Sequence, residues 1–193
     1  MAKIPYRLAM GFYPGRFNAL LNYLRPKKGE KILDIGCHRG FYVKEFEKFT
    51  KKVTGIDIDK TAIMKAVTMN VKYGDALNIC FEGNTFDKVY SLHTVEHIKD
   101  SEKFFKEVAR VLKRGGIAVI VYPWEPTRGI QAMFAAFLMY GNPFKARKIH
   151  LHKFTPEKVQ TIIKDTGLSH TESKLVFTLN PLSCQYFTIL KKV

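Results

Sequence analysis

The stretch ILDIGCHRG, residues 32–40, is the strongest indication of the fold in this sequence. Its apolar residues lead into Asp34, and Gly36 and Gly40 bracket a short turn before a segment with helical spacing. A strand, a glycine turn and a helix in this order place backbone N–H groups at the carboxyl end of a parallel sheet, where nucleotide-like ligands bind. The stretch therefore predicts a ligand-binding loop, with His38 where such a loop usually has glycine.

Strand and helix patterns alternate on both sides of this loop. Helical spacing is found in residues 16–24, 39–49, 60–70, 101–112 and 155–167. Strand patterns are found in residues 31–35, 52–57, 71–76, 86–92, 116–122, 174–179 and 185–192. This order predicts an α/β fold: a doubly wound, mostly parallel seven-stranded sheet with helices on both faces and a C-terminal antiparallel hairpin.

Length and composition are those of one globular domain, residues 1–193, with 46% hydrophobic and 25% charged residues. No apolar run reaches the roughly 18 residues that span a bilayer, and the N-terminus lacks the apolar core of a secretory signal. The three cysteines lie far apart without C-x-x-C spacing, which argues against a disulfide framework or a zinc knuckle. We expect a cytoplasmic protein.

The net charge of +15 is concentrated at the two ends of the chain. Residues 1–31 carry seven Lys and Arg against one Glu, and residues 141–193 carry nine against three acidic residues. A basic surface favours anionic partners such as nucleic acid, acidic lipid headgroups or phosphorylated metabolites. The same charge on a solvated surface serves solubility alone, so both interpretations stay open.

The loop does not have the pattern of a dinucleotide site. The fingerprint G-x-G-x-x-G would need glycine at His38 and Phe41. Asp34, two residues before the first glycine, would repel a pyrophosphate and suits a cationic amino acid moiety better.

The residues resemble motif I of the class I S-adenosylmethionine-dependent methyltransferases, whose common form is LDIGCGTG. The resemblance continues along the chain in order. The further matching segments are GIDID (55–59), GDA (74–76), FDKVYSLHTVEHI (86–98) and VARVLKRGGIAVIV (108–121). The most similar subgroup includes the ubiquinone and menaquinone biosynthesis enzymes and many small-molecule methyltransferases.

The resemblance implies S-adenosyl-L-methionine as the cofactor. Asp57 would bind the ribose hydroxyls, Asp75 would accept from the exocyclic amine, and His38 would form the pocket wall near the carboxylate. The cofactor-binding residues implied are Asp34, Gly36, His38, Gly40, Asp57, Ile58, Asp75, Ala76 and Leu92. The resemblance also places a substrate-cover insertion at residues 122–154, while charge and apolar spacing predict a basic N-terminal helical segment at residues 1–31.

Methyl transfer needs a base only if the nucleophile arrives protonated. Candidates near strand ends are His93, His97, Tyr122, Glu125 and His150, of which we take His93 and His97 as catalytic candidates. His93 and His97 also match the zinc motif H-x-x-E-H, for which Glu172 could supply a third ligand. Because His93 directly follows a strand, both histidines do not share a helix, and we predict no metal.

The sequence favours methyl transfer to a small-molecule or lipid-like acceptor. An RNA methyltransferase is one alternative, supported by the basic ends, and a non-catalytic cofactor-binding protein with a degenerate site is the other, raised by His38. Residues 129–140 are almost wholly apolar and are flanked by cations. They predict an apolar lid over the acceptor site in a protein peripheral to an anionic membrane surface, with core packing or a dimer interface as the alternative.

Overall fold

The computed structural model describes residues 11–124, 141, 152–179 and 182–193. Seven strands form one sheet, in the spatial order β3-β2-β1-β4-β5-β7-β6. The strands are β1 (Ile32–Ile35), β2 (Val53–Asp57), β3 (Val71–Tyr73), β4 (Phe86–Leu92), β5 (Leu112–Pro123), β6 (Leu168–Leu179) and β7 (Leu182–Lys192). The first five pair in parallel, and β7 pairs antiparallel with both β5 and β6. The predicted fold class is confirmed.

Helices cover both faces of the sheet. They are α1 (Pro14–Leu24), α2 (Phe41–Phe46), α3 (Lys60–Met64), α4 (Ser101–Val111) and α5 (Pro156–Ile163). The apolar sides of α4 and α5 pack with Leu33 and Ile35 on one face. Those of α1 and α2 pack with Ile32 on the other. Because side chains alternate between the two faces of a strand, the four residues of β1 contribute to the hydrophobic cores on both sides of the sheet.

Local sequence explains where several helices begin and end. Proline at the first turn starts α1 and α5, where its missing N–H has no helical partner to lose. Asp100 caps α4 by accepting from the backbone N–H of Lys103 at 2.9 Å. Helix α3 is shorter than the predicted 60–70, because Met64 and Met69 are 86% and 97% exposed and contribute no core packing to extend it.

The loop predicted between the last two strands, residues 180–184, extends too far, because β7 already begins at Leu182. Strands β6 and β7 pair from Leu168 opposite Lys192 to Leu179 opposite Leu182, with a register shift between His170 and Glu172. Pairing extends beyond the apolar runs because ladder hydrogen bonds are made by the backbone and tolerate polar residues. For the same reason β5 begins at Leu112, before the glycines where the sequence predicted its start.

The order of the strands fixes where a ligand can bind. Strand β1 lies between β2 and β4, so the crossovers leave it in opposite directions and open a crevice at the carboxyl ends of these strands. Among the helices described, none is long and apolar enough to cross a membrane.

Candidate cofactor and acceptor site

A cavity of about 440 Å³ lies at the carboxyl ends of β1, β2 and β4. The loops after these strands and after β3 form its wall, and α1 closes one side. Every predicted cofactor-binding or catalytic residue except Gly40 lines this cavity, so the structure brings together side chains from positions 34 to 97.

The loop after β1 turns so tightly that Gly36 cannot carry a side chain. Its φ is +83°, and the N–H groups of Gly36 and Cys37 both donate to the carbonyl oxygen of Ile56, at 2.9 and 3.0 Å. A Cβ at Gly36 would overlap Oγ1 of Thr94 and lie 2.7 Å from its Cγ2. The loop is therefore in direct contact with the loop after β4.

Gly40 lies outside the cavity wall, unlike the other predicted cofactor residues. It adopts φ +75° at the N-terminus of α2, and a Cβ there would lie 2.6 Å from Cγ1 of Val71. Its role is to let the chain enter α2 beside β3.

His38 occupies the glycine position by adopting the backbone conformation that glycine favours. Its φ is +49°, and its backbone N–H donates to Oδ2 of Asp57 at 2.6 Å. Burial lowers the pKa of the His38 ring, and although Asp57 and Asp59 oppose this change, the net direction is downward. An uncharged imidazole therefore lines the cavity beside two carboxylates.

Replacing His38 by glycine is expected to stabilise the protein by about 1 kcal/mol. A left-handed backbone costs a residue with a Cβ about 1–2 kcal/mol, partly offset by the greater unfolded-state entropy of glycine. Urea unfolding of the cofactor-free protein measures the change. Arg39→Gly is the control, because Arg39 has no positive φ and should lose stability. A loss at both positions would show that contacts of the imidazole outweigh its backbone strain.

Asp34 is a buried carboxyl with one unpartnered oxygen in the part of the chain that the structure describes. The residue is 2% exposed, and its Oδ1 accepts no hydrogen bond from these residues. Burial raises the pKa of Asp34 well above its usual value; the neighbouring Tyr90 hydroxyl opposes the shift and the charge of Asp57 adds to it. An orphaned carboxyl oxygen in a cavity wall is a site for a cationic ligand group.

The loops after β2 and β3 supply the other acidic side chains of the wall. Oδ1 of Asp57 accepts from the N–H of Asp59, and Oδ1 of Asp75 accepts from the N–H of Leu77, both at 2.8 Å. Next to Asp57, the side chain of Ile58 is 64% exposed although it lines the cavity. These bonds fix the carboxylates in place and leave lone pairs for a ligand.

Sequence reasoning missed Arg16. It is only 9% exposed, lines the cavity, and stacks over the Tyr13 ring at 5.0 Å. Its Nε has no hydrogen-bond partner among the described residues, although the guanidinium also bonds to the Tyr42 side chain, and none of the described carboxylates forms a salt bridge with it. A signal existed: Arg16 shares the buried face of α1 with Leu20 and Leu24, at spacings of four residues.

His93 follows β4 directly, as predicted, with φ +52°. Its Nδ1 lies 3.3 Å from Oε1 of Glu96 and its Nε2 lies 2.7 Å from Oε1 of Gln185. His97 also lines the cavity, but from a 3-10 turn over Val95–His97, so no helix carries both histidines. In the described ranges no group of three His, Cys, Asp or Glu residues is arranged to hold a metal.

The other residues that the sequence suggested are not among those lining the cavity. Tyr122 is buried in the sheet with its hydroxyl 2.7 Å from Oγ1 of Thr188, away from the cavity. Glu172, the proposed third zinc ligand, lies on β6, where it pairs with Lys174 at 3.5 Å. Glu125, His150 and the apolar segment 129–140 lie outside the described residues.

Comparison with known sequences finds similar proteins for part of the chain. The chain matches the family described as a methyltransferase domain over residues 33–120. A sterol 24-C-methyltransferase of Aspergillus fumigatus is 35% identical over 51% of this chain and 29% of that protein. A ubiquinone biosynthesis O-methyltransferase of Rhizobium leguminosarum bv. trifolii is 29% identical over 84% of this chain and 68% of the relative. The chain spans less than a third of the length of the sterol relatives.

Solved structures show the same fold. Phosphoethanolamine N-methyltransferase 2 of Haemonchus contortus, in complex with S-adenosyl-L-methionine, superposes with a TM-score of 0.72 at 20% identity, over 97% of this chain and 56% of that chain. A SAM-dependent methyltransferase from Aquifex aeolicus superposes with a TM-score of 0.69 at 19% identity, over 98% of both chains.

The doubly wound sheet and the cavity at its switch point define a Rossmann-like, cofactor-binding α/β protein. Over residues 33–120, the chain is similar to methyltransferases of the class I, S-adenosylmethionine-dependent type. S-adenosylmethionine is the cofactor of this class.

Proposed function

We propose that this protein transfers a methyl group from S-adenosylmethionine to a small-molecule or lipid-like acceptor. The observation that carries the proposal is the cavity, where the orphaned carboxyl of Asp34 and the buried Arg16 face the same space. The names of the relatives support the kind of acceptor: they are sterol, ubiquinone biosynthesis and phosphoethanolamine methyltransferases.

The amino acid end of the cofactor fits the charges at the loop after β1. Asp34 would accept from its ammonium group, and the guanidinium of Arg16 would pair with its carboxylate. Gly36 would let the backbone approach closely, and His38 would line the same side without adding a charge. These assignments rest on two buried atoms, Oδ1 of Asp34 and Nε of Arg16, that have no hydrogen-bond partner among the described residues.

The nucleoside end fits the loops after β2 and β3. Asp57 would bind the ribose hydroxyls with the lone pairs left by its two backbone partners, and Asp75 would accept from the exocyclic amine. The exposed Ile58 would cover the adenine ring, with Ala76 and Leu92 completing the wall. An exposed apolar side chain gains free energy when it covers an aromatic ring.

The cofactor brings an activated methyl group on a sulfonium, so the bond to be broken is already weak. The chain's own task is to hold both reactants in line and to exclude water from between them. The rigid loops after β1 and β4, in contact at Gly36 and Thr94, suit that task.

Calorimetry with S-adenosylmethionine and S-adenosylhomocysteine tests the proposal. Asp57→Ala is expected to weaken binding of both by about 1.5–3 kcal/mol, roughly 10- to 150-fold, because hydrogen bonds to a charged acceptor are lost. Asp165→Ala, at an exposed aspartate after α5, is the matched control and should bind as wild type does. Absence of binding by the folded wild-type protein would contradict the proposal.

The alternatives make different predictions. A non-catalytic protein would bind the cofactor but methylate nothing in a cell extract, and an RNA methyltransferase would label RNA rather than small molecules. We further propose a cytoplasmic protein that contacts anionic membrane surfaces through its lysines. Failure to sediment with anionic vesicles at low salt would contradict that part, since such binding depends on charge.

A further inference from the structure

Exposed apolar side chains are gathered at one edge of the sheet. Eight large apolar side chains are exposed among the described residues, and five of them lie between residues 49 and 73, the part of the chain that leads from α2 to β3. Strand β3 forms this edge of the sheet. Met64 and Met69 are 86% and 97% exposed, the largest values of the group. Large exposed apolar patches mark surfaces that bind a partner or a membrane.

The segment that carries both methionines is held against the loop after β1. The backbone N–H of Val67 donates to the carbonyl oxygen of Arg39 at 2.9 Å, and Nε of Arg39 donates to the carbonyl oxygen of Lys65 at 2.7 Å. These two bonds fix the backbone between Met64 and Met69. The exposure of the two methionines is therefore a property of an ordered part of the chain.

Helix α3 and strand β3 present these residues on one face of the molecule. Ile63 on α3 and Val71 on β3 pack on the core beneath α1 and α2. Tyr73 shares the side of β3 that Val71 occupies, and Nζ of Lys60, at the start of α3, lies 4.9 Å from the centre of the Tyr73 ring. We call this face the β3 edge surface, and its members are Lys60, Met64, Lys65, Met69 and Tyr73.

The positive charge of the β3 edge surface is not neutralised by ion pairs. Lys60, Lys65 and the neighbouring Arg39 belong to none of the ion pairs formed among the described residues. Two carboxylates of the same region have other partners. Asp59 accepts from two backbone N–H groups at the start of α3, and Glu47 accepts from two side chains of the segment before β3. Exposed methionines therefore lie among cations that attract an anionic partner.

The shape and charge of this surface suit an anionic bilayer. A side chain that is 97% exposed, as that of Met69 is, stands clear of the rest of the protein. Lipid chains rearrange around a protruding side chain of any outline, whereas a protein interface packs its side chains against a surface of matching shape. Lysines beside the methionines would reach the headgroups while their apolar stems stay near the acyl chains.

We propose that the β3 edge surface docks the protein on an anionic membrane, with Met64 and Met69 among the acyl chains and the two lysines at the headgroups. This inference rests on the membrane contact proposed above and gives it a location in the fold. Ile58 extends the surface to the cavity, because it is exposed and also lines the cavity wall. Docking in this way brings the cavity opening next to the bilayer, where lipid-like molecules are found.

Co-sedimentation with vesicles tests the proposal. The wild-type protein should bind vesicles of equal parts phosphatidylglycerol and phosphatidylcholine, and it should not bind vesicles of phosphatidylcholine alone. Met64→Ser/Met69→Ser should weaken binding by about 10- to 100-fold, because two apolar side chains lose their burial among acyl chains. Lys60→Gln/Lys65→Gln should weaken it by about 10- to 30-fold, because each lysine near an anionic surface contributes about fivefold.

Two double variants are matched controls. Leu175→Ser/Phe177→Ser removes two half-exposed apolar side chains from β6, at the opposite edge of the sheet. Lys106→Gln/Lys174→Gln removes two lysines that already have carboxylate partners. Both controls should bind anionic vesicles within about threefold of wild type in 0.1 M salt, where charges more than about 10 Å from the membrane are screened.

Binding of S-adenosylhomocysteine shows that each variant is folded. None of the substituted residues lines the cavity. The Kd of every variant for this ligand should therefore stay within about twofold of the wild-type value, as expected for sites that share no contacts.

The outcomes are distinguishable. Vesicle binding by Met64→Ser/Met69→Ser that equals wild type, or an equal loss in Leu175→Ser/Phe177→Ser, would overturn the inference. Full binding by Lys60→Gln/Lys65→Gln would overturn the role of the lysines. Self-association of the wild type that is lost in the methionine variant, without vesicle binding, would show that the surface binds protein instead. Failure of the wild type to bind any anionic vesicle would contradict the membrane contact, whereas failure to bind S-adenosylhomocysteine would contradict the proposed methyl transfer.

Discussion

Gly36→Ala is expected to destabilise the protein by about 2–5 kcal/mol and to abolish measurable cofactor binding. The added Cβ would overlap Oγ1 of Thr94 and lie 2.7 Å from its Cγ2, in a loop whose φ is +83°. Overpacking typically costs about 1–3 kcal/mol, and a left-handed alanine about 1–2 kcal/mol more. Any relief of the overlap must move the loop after β1 away from the loop after β4, which separates the two walls of the site.

Gly167→Ala is the matched control for this prediction. Gly167 has φ +80°, and a Cβ there would meet nothing within 4 Å, so Gly167→Ala introduces the same backbone strain without a steric overlap. Urea unfolding of both variants isolates the contribution of Thr94. Equal losses at the two positions would show that backbone strain alone accounts for Gly36.

Asp34→Asn is expected to weaken binding of S-adenosylmethionine by roughly 10- to 150-fold while stabilising the cofactor-free protein at neutral pH. The loss of affinity follows from replacing a carboxylate that would accept from an ammonium group, worth about 1.5–3 kcal/mol. The gain in stability follows from the raised pKa of Asp34 in the folded protein. Calorimetry and urea unfolding measure the two effects separately.

The pH dependence has a definite sign. Because folding raises the pKa of Asp34, its favourable contribution to stability is complete below the unfolded-state pKa. It is lost as pH rises through the folded-state pKa, where a buried, unpaired charge forms. The free energy of unfolding of the wild type should therefore decrease relative to that of Asp34→Asn as pH rises, and the difference should become small in acid. Affinity of wild type for the cofactor should rise over the same pH range, since binding releases the proton. A difference in unfolding free energy that does not change with pH would contradict the raised pKa of Asp34.

The sequence predicted those parts of the site that follow directly from strand ends. Asp34 and His93 each lie at or just after the end of a short apolar run, and parallel strands bring their carboxyl ends to one edge. The positive φ of His38 could be anticipated from the glycine expected there. The apolar face of α1 indicates that Arg16 is buried, but its place in the cavity wall could not be predicted, because the packing of α1 against the sheet depends on contacts distant in sequence.

The pairing of His93 with Glu96 and Gln185 also lay beyond sequence reasoning. Glu96 was read as part of a metal motif, and Gln185 lies 92 positions away on an antiparallel strand. The register of β7 against β5, which sets Gln185 opposite Pro123, comes from backbone pairing and is not encoded in an apolar period. Long-range contacts of this kind need the assembled sheet.

The position of β7 has a consequence for how the chain is made. β7 follows β6 in sequence, yet it lies between β5 and β6 in the sheet. During synthesis β6 leaves the ribosome with no neighbour to pair with, and one edge of β5 stays open until β7 arrives. Leu175 and Phe177 on β6 are about half exposed even in the finished sheet. A chain truncated before residue 182 therefore leaves one edge of β5 and both edges of β6 unpaired, and open strand edges are the surfaces that chaperones cover and aggregates recruit.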